Sequence, residues 1–161
     1  MPKEKGVKSA IKRITGPFFS TFLLWKLPAA FFMGVRLKSL DEKSCSVSVP
    51  FFWLSQNPFR SIYFVALSAA AEMSTGLLVI AHIEGKPKIS MLITGIEGQF
   101  SKKAVTKTTF TCHQGEAISQ AIEKAVSTGE GQEIEIESIG IQKTGEEVAR
   151  FTLKWSFKVK P

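Results

Sequence analysis

The longest apolar run in the chain extends from Ser61 to Ile83, SIYFVALSAAAEMSTGLLVIAHI, and Glu72 is its only formal charge. The spacing predicts a long helix that begins at about Pro58 or Phe59 and ends near Leu78. At 100° per residue, Ser61, Ser68, Glu72 and Thr75 fall within an arc of about 60°, beside an apolar arc of Ile62, Val65, Ala66, Ala69 and Met73. Solvated stripes normally carry Lys and Arg, so this stripe reads as buried or as the lining of a cleft. Ala69, Ala70 and Ala71 would let a strand or a second helix approach closely.

Upstream, residues 7 to about 24 read as a helix with a basic start and an apolar second half. LPAAFFMG, from Leu27, reads as a second short helix with Pro28 in its first turn. Val35, Leu37 and Leu40, then Cys45, Val47 and Val49, alternate around a DEK turn and predict a hairpin. WLSQNPFRS, from Trp53, is a loop in which Asn57-Pro58 marks a turn. After the long helix, VIAHIEG, KISMLITGIEGQF and AVTKTTFTC read as strands. A helix from Glu116 to Thr128 buries Ile118, Ala121, Ile122 and Ala125 and stops at Gly129. Two strands close the chain. Glu133, Glu135 and Glu137 on one would face Arg150, Lys154, Lys158 and Lys160 on the other, each opposite-charge pair worth about 0.2–1 kcal/mol.

Composition refines this picture. The 161 residues suffice for one domain with a substantial core, read as an N-terminal helical extension (1–34) and a main unit (35–161). Thirteen Phe against one Tyr suggest bulky apolar walls, which suit either a greasy pocket or a plain core. The net charge is +7, and MPKEKGVKSAIKR alone carries five bases and one acid. That charge suits a phosphate-bearing ligand, an anionic surface or nothing beyond solvation. No Gly-rich phosphate loop, RNA-binding aromatic signature or metal-spaced cluster is present, so neither nucleic acid nor a metal is expected. Cys45 and Cys112 lack a partner motif and fit packing roles in a reducing, cytoplasmic setting. His82, in an apolar segment, reads as structural, and His113 as exposed. Two stretches approach membrane-span length. Lys26 and Pro28 interrupt the first, and Glu72 would cost the second roughly 2.5–3.5 kcal/mol on insertion. Both read as buried helices, with peripheral membrane contact of the first left open.

The order of helix, hairpin, Asn loop, long helix and antiparallel strands resembles the hotdog fold, an α+β fold in which a curved antiparallel sheet wraps one long central helix, here with extra N-terminal helices. The chain is similar to the DUF4442 group, itself similar to acyl-CoA thioesterases of the phenylacetate-pathway type. Asn57, the segment SIYFVALSAAAEMSTG and the strand ITGIEGQFSKKA carry the resemblance, with an acid fifteen positions after the Asn. It implies Glu72 as base or nucleophile, Asn57 as the group that orients water or Glu72, and the backbone N–H of Phe64 as the oxyanion donor. Thr94 would hold the water from across a dimer, and Ser61, Tyr63 and Ser68 would line or orient. The relatives carry a His-Gly-Gly word where this chain has Tyr63, Phe64 and Val65.

The expected activity is hydrolysis of a medium- or long-chain acyl-CoA in a homodimer, or in a tetramer built from it. Coenzyme A thioester would be the substrate, and no cofactor is required. The alternative is a non-catalytic hotdog protein that binds acyl-CoA or fatty acid, which the missing His-Gly-Gly word favours. A hotdog dehydratase or isomerase would want a His beside the acid. A membrane-associated structural protein would rest only on the first apolar helix and the basic tails.

Overall fold

The computed structural model describes residues 2–160, so Met1 and Pro161, at the ends of the two expected segments, lie outside the described residues. Three helices come first: α1 (Pro2–Ile14), α2 (Phe19–Lys26) and α3 (Pro28–Phe32). Strands β1 (Arg36–Leu40) and β2 (Cys45–Val49) precede the long helix α4 (Phe64–Ile83). Then come β3 (Ile89–Phe100), β4 (Thr108–Cys112), α5 (Gly115–Thr128), β5 (Gln132–Gln142) and β6 (Glu147–Val159). The six strands form one antiparallel sheet in the order β1-β2-β4-β5-β6-β3. The sheet curves around α4, which packs on β2, β4, β5 and β6, while α1 and α5 flank it.

This enclosure explains the sequence of α4. A helix contacted on nearly every side is apolar all round and shows little 3.6-residue periodicity. It is long and apolar enough, by length and composition, to cross a membrane, yet most of it is buried against its own sheet and flanking helices. The opposing surface comes largely from β6, where Phe151, Leu153, Trp155 and Phe157 alternate inward and are all buried. Burying side chains of this size stabilises by about 1.5–3 kcal/mol each. On the outer face Arg150 pairs with Glu137 at 3.1 Å and Lys154 with Glu133 at 2.9 Å. The expected charge pairing is present, along the diagonals of the strand pair rather than directly across it. Cys45 and Cys112 are buried free thiols directly opposite one another on β2 and β4. Burial pushes both thiols up, Cys112 to about 11, which leaves them unreactive packing groups.

Several boundaries differ from the sequence reading. The helix expected over 7–24 is two helices, because Gly16 and Pro17 interrupt it: proline has no N–H to donate and its ring blocks continuation. The segment VIAHIEG is not a strand. Val79 to Ile83 are the last turns of α4, which ends only before Gly85, at φ +74°. An unbroken apolar run looks the same in a buried strand and a buried helix. His82 therefore sits on a helix, 2.9 Å from the Glu42 carbonyl oxygen, in the structural role expected of it. The long helix also starts later than expected, at Phe64, because residues 57–62 are held in a turn. Ser61 consequently lies outside the helical stripe on which the sequence placed it. Of AVTKTTFTC, only Thr108–Cys112 pairs in the sheet.

Candidate active site

The turn before α4 is built by Asn57. Its Oδ1 accepts from the backbone N–H of Phe59 at 3.0 Å and of Ser61 at 3.2 Å, and its Nδ2 lies 3.1 Å from the Ser61 hydroxyl. Asn and Asp side chains close turns in this way because they mimic a backbone carbonyl. Arg60 accepts the left-handed conformation that the turn needs, at φ +60°. Backbone bonds tie the turn down: Tyr63 N–H donates to Ser55 O at 2.7 Å and Ile62 N–H to Ala104 O at 2.8 Å. Within one chain, then, the Asn57 carboxamide organises the loop. It does not reach Glu72.

What the turn presents is the bare start of α4. Tyr63 is the N-cap residue and supplies no side-chain cap, while its carbonyl accepts from the N–H groups of Ala66 and Leu67. The N–H groups of Phe64 and Val65, at the first two helical positions, have no acceptor within the helix. They carry the positive end of the helix dipole, which suits an oxyanion. This end of α4 borders a cleft of about 540 Å³ that Asn57, Ser61, Tyr63, Phe64 and Phe100 line, with Lys102 and Lys103 at its edge. Lys103 donates to the Phe59 carbonyl at 3.3 Å, and Lys102 pairs with Glu146. Four of the expected residues thus come together. The two lysines were legible only as the SKK that follows Phe100, and nothing in the sequence showed that they share a cleft with the helix start.

Glu72 lies two turns further along α4, half-buried, and among the described residues its carboxylate makes no hydrogen bond or ion pair. Burial pushes its pKa up from the ordinary glutamate value, because the charged form loses water without gaining a partner. No fully buried polar side-chain atom lacks a partner among the described residues, so the unpaired Glu72 oxygens must retain an opening to solvent. Beside the carboxylate is Gly76: a Cβ there would stand 3.3 Å from Glu72 Oε1 and 3.6 Å from the Trp155 ring. The Trp155 indole N–H donates to Thr75 Oγ1 at 3.1 Å, and that hydroxyl donates to Glu72 O at 2.9 Å, which fixes the backbone under the acid. Thr75 belongs to the polar stripe read from the sequence; its pairing with Trp155 could not be read there.

Ser68 shares the Glu72 face and donates to Phe64 O at 2.8 Å. Thr94 sits at a bulge in β3, and its hydroxyl donates to Lys154 O at 3.3 Å on the outer face of the sheet. There it stands beside Glu133 and points away from α4. Within one chain, Thr94 is not assembled with Glu72.

A curved antiparallel sheet wrapped around one long helix defines the hotdog fold. The family DUF4442, described as a domain of unknown function, matches residues 16–157, and the chain belongs to it. No curated protein matches the chain. A protein of unknown function from Chlorobaculum tepidum superposes with a TM-score of 0.75 at 15% identity, covering 98% of this chain and 97% of that one. A Pseudomonas aeruginosa protein described as a probable thioesterase gives 0.70 at 18% identity, covering 90% and 97%. A thioesterase from Haemophilus influenzae gives 0.66 at 14%, covering 89% and 91%. At these identities the likeness establishes the fold.

Proposed function

We propose that the protein is an acyl-CoA thioesterase acting on a medium- or long-chain acyl group, and that its site is shared between two copies in a homodimer. The observation that carries this reading is Glu72: an unpaired, half-buried carboxylate whose pKa burial raises, which makes it a stronger base than an ordinary glutamate. The free N–H donors at Phe64 lie eight residues away on the same helix, about 12 Å along the axis. One chain therefore cannot bring both to one thioester carbonyl. Two α4 helices packed antiparallel about a dyad can. Midway between Phe64 and Glu72 is Ser68, and it and Ala69 are small and half-exposed, which favours close approach at that point. The edge strand β3 adds to the case. Leu92, Ile96 and Phe100 are exposed on it, with backbone groups left open along one side, and a partner strand would cover them.

In this arrangement the N–H of Phe64 in one copy binds the carbonyl oxygen. Glu72 of the other takes a proton from water. The hydroxide adds to the carbonyl carbon, the oxyanion forms on the helix start, and the C–S bond breaks. The proton held by Glu72 passes to the departing thiolate. Lys102 and Lys103 at the cleft edge supply cations for the phosphates of coenzyme A. The free thiols of Cys45 and Cys112 agree with a cytoplasmic location.

A second reading, a non-catalytic acyl-binding protein, draws on the exposed rings of Tyr63 and Phe64, which meet edge-to-face at 5.1 Å over the helix start. The test is thiol release from a panel of acyl-CoA esters by wild type and Glu72→Gln, with Ser68→Cys oxidised in parallel. Hydrolysis lost in Glu72→Gln and a disulfide-linked Ser68→Cys dimer are expected. Tight acyl-CoA binding without thiol release would transfer the assignment to the second reading.

A further inference from the structure

The stretch from Lys5 to Leu40 carries seven basic residues and no acid. Its first two helices are built in opposite senses. α1 turns Val7, Ala10 and Ile14 inward, where they are buried, and leaves Lys5, Lys8 and Lys12 in solvent within one arc of about 60°. α2 buries Leu23 and turns aromatic rings outward. Phe18, Phe22 and Trp25 share an arc of about 60°, and they are 81%, 51% and 80% exposed. A surface helix normally turns charged and polar groups to that side.

At about 200 Å² for each aromatic side chain, these rings present about 400 Å² of apolar surface. That matches the largest patch a typical soluble monomer shows, which is often functional. Leu27 and Phe32, on the segment that follows, are exposed as well. Bases border α2 on both sides. Arg13, paired with Glu84, lines a groove with Phe18 and Phe22. Arg36 and Lys38 line another with Ser20 and Leu23. Lys26 directly follows Trp25, and both Lys26 and Lys38 are exposed.

Charge decides what covers this face. A second copy joined through it about a dyad would set each basic group near its own equivalent, like charge against like. Interfaces with other proteins are poor in Lys and match opposite charges across the contact; here Lys flanks the rings and the stretch offers no acid. A bilayer that contains anionic lipid needs no residue-by-residue match. Phe side chains enter the acyl boundary, Trp settles at the headgroup level, and Lys reaches phosphates on a flexible stem.

We propose that α2 is a docking element for an anionic phospholipid membrane, with Phe18, Phe22 and Trp25 entering the interface and Lys26 and Lys38 meeting lipid phosphates. The N-terminal helices thereby acquire a role in placing the protein on a surface rather than in the chemistry at α4. The inference is independent of the thioesterase reading, because none of these residues belongs to the cleft at the helix start or touches Glu72.

The experiment is sedimentation of the full-length protein with vesicles of phosphatidylcholine alone and of phosphatidylcholine mixed with phosphatidylglycerol. Binding to the mixed vesicles is expected, weaker at high salt and much weaker on phosphatidylcholine alone. Phe18→Ser with Trp25→Ser, both at exposed positions, should weaken binding by about tenfold or more. Lys26→Gln and Lys38→Gln should each weaken it about fivefold. Absence of wild-type binding to the mixed vesicles overturns the proposal. Equal binding to both kinds of vesicle does the same, as does undiminished binding by the Phe18→Ser/Trp25→Ser variant. A smaller oligomer for that variant in light scattering, without vesicles, would assign the face to a second copy and overturn the proposal as well.

Discussion

Replacing Gly76 by Ala separates the stability of α4 from its chemistry. Alanine in a helix interior is favoured over glycine by about 0.8–1 kcal/mol, because glycine loses more backbone freedom on folding. The surroundings decide how much of this is realised. An added Cβ would meet the Trp155 ring at 3.6 Å, an ordinary contact, and Glu72 Oε1 at 3.3 Å, which is tight. Glu72 Oε1 is the far end of a flexible side chain that no partner holds, so it can retreat by a few tenths of an ångström at little cost. Gly76→Ala is therefore expected to be more stable by about 0.5–1 kcal/mol. For a chain of this size that raises the thermal midpoint by about 1–4 °C. The same methyl displaces the carboxylate, so turnover of acyl-CoA should fall about tenfold. Thermal unfolding followed by circular dichroism gives the first number and thiol release the second. A lower midpoint would refute the geometry at Gly76. A higher midpoint with full activity would refute the claim that the position of Glu72 matters for the reaction.

The remaining expectations concern Glu72, Thr75 and Asn57. The pKa of Glu72 is raised by burial, so the folded state holds its proton more tightly than the unfolded state does; wild-type stability falls, relative to Glu72→Gln, as pH rises from the ordinary carboxylate range through the raised value, and the two converge at low pH. Urea unfolding of both proteins across pH checks this, and a pH-independent difference would contradict it. Thr75→Val leaves the buried Trp155 indole N–H without an acceptor and should cost about 1–3 kcal/mol, read as a lowered urea midpoint. Asn57→Ala removes the acceptor for two backbone N–H groups in the turn before α4 and should cost about 2 kcal/mol while lowering activity through misplacement of the helix start. Lost activity in a variant of unchanged stability would instead assign Asn57 to the chemistry itself.

Much of this was legible along the chain because it follows from local periodicity. The alternation in β6 showed which face Phe151, Leu153, Trp155 and Phe157 would bury, and the charges of the last two strands showed their outer face. Gly129, at φ +72°, ends α5 where a glycine stop was expected. The isolated charge at Glu72 pointed to a special environment, since an unpaired acid is rarely left inside an apolar run. The limits of α4 were not legible. Its apolar character comes from being enclosed, and enclosure erases the periodicity that tells helix from strand.

The amino-acid sequence by itself determined the strand faces, the turn at Asn57 and the single acid on the central helix, because each depends on neighbours a few residues apart. Only the tertiary structure decided that the Asn57 carboxamide is taken up by its own loop, that Thr94 faces away from α4, and that Trp155 reaches Thr75. It alone placed Lys102 and Lys103 beside the helix start. These are contacts between segments brought together by the sheet. Their geometry is set by strand register and helix packing over the whole chain, which no local pattern of residues encodes.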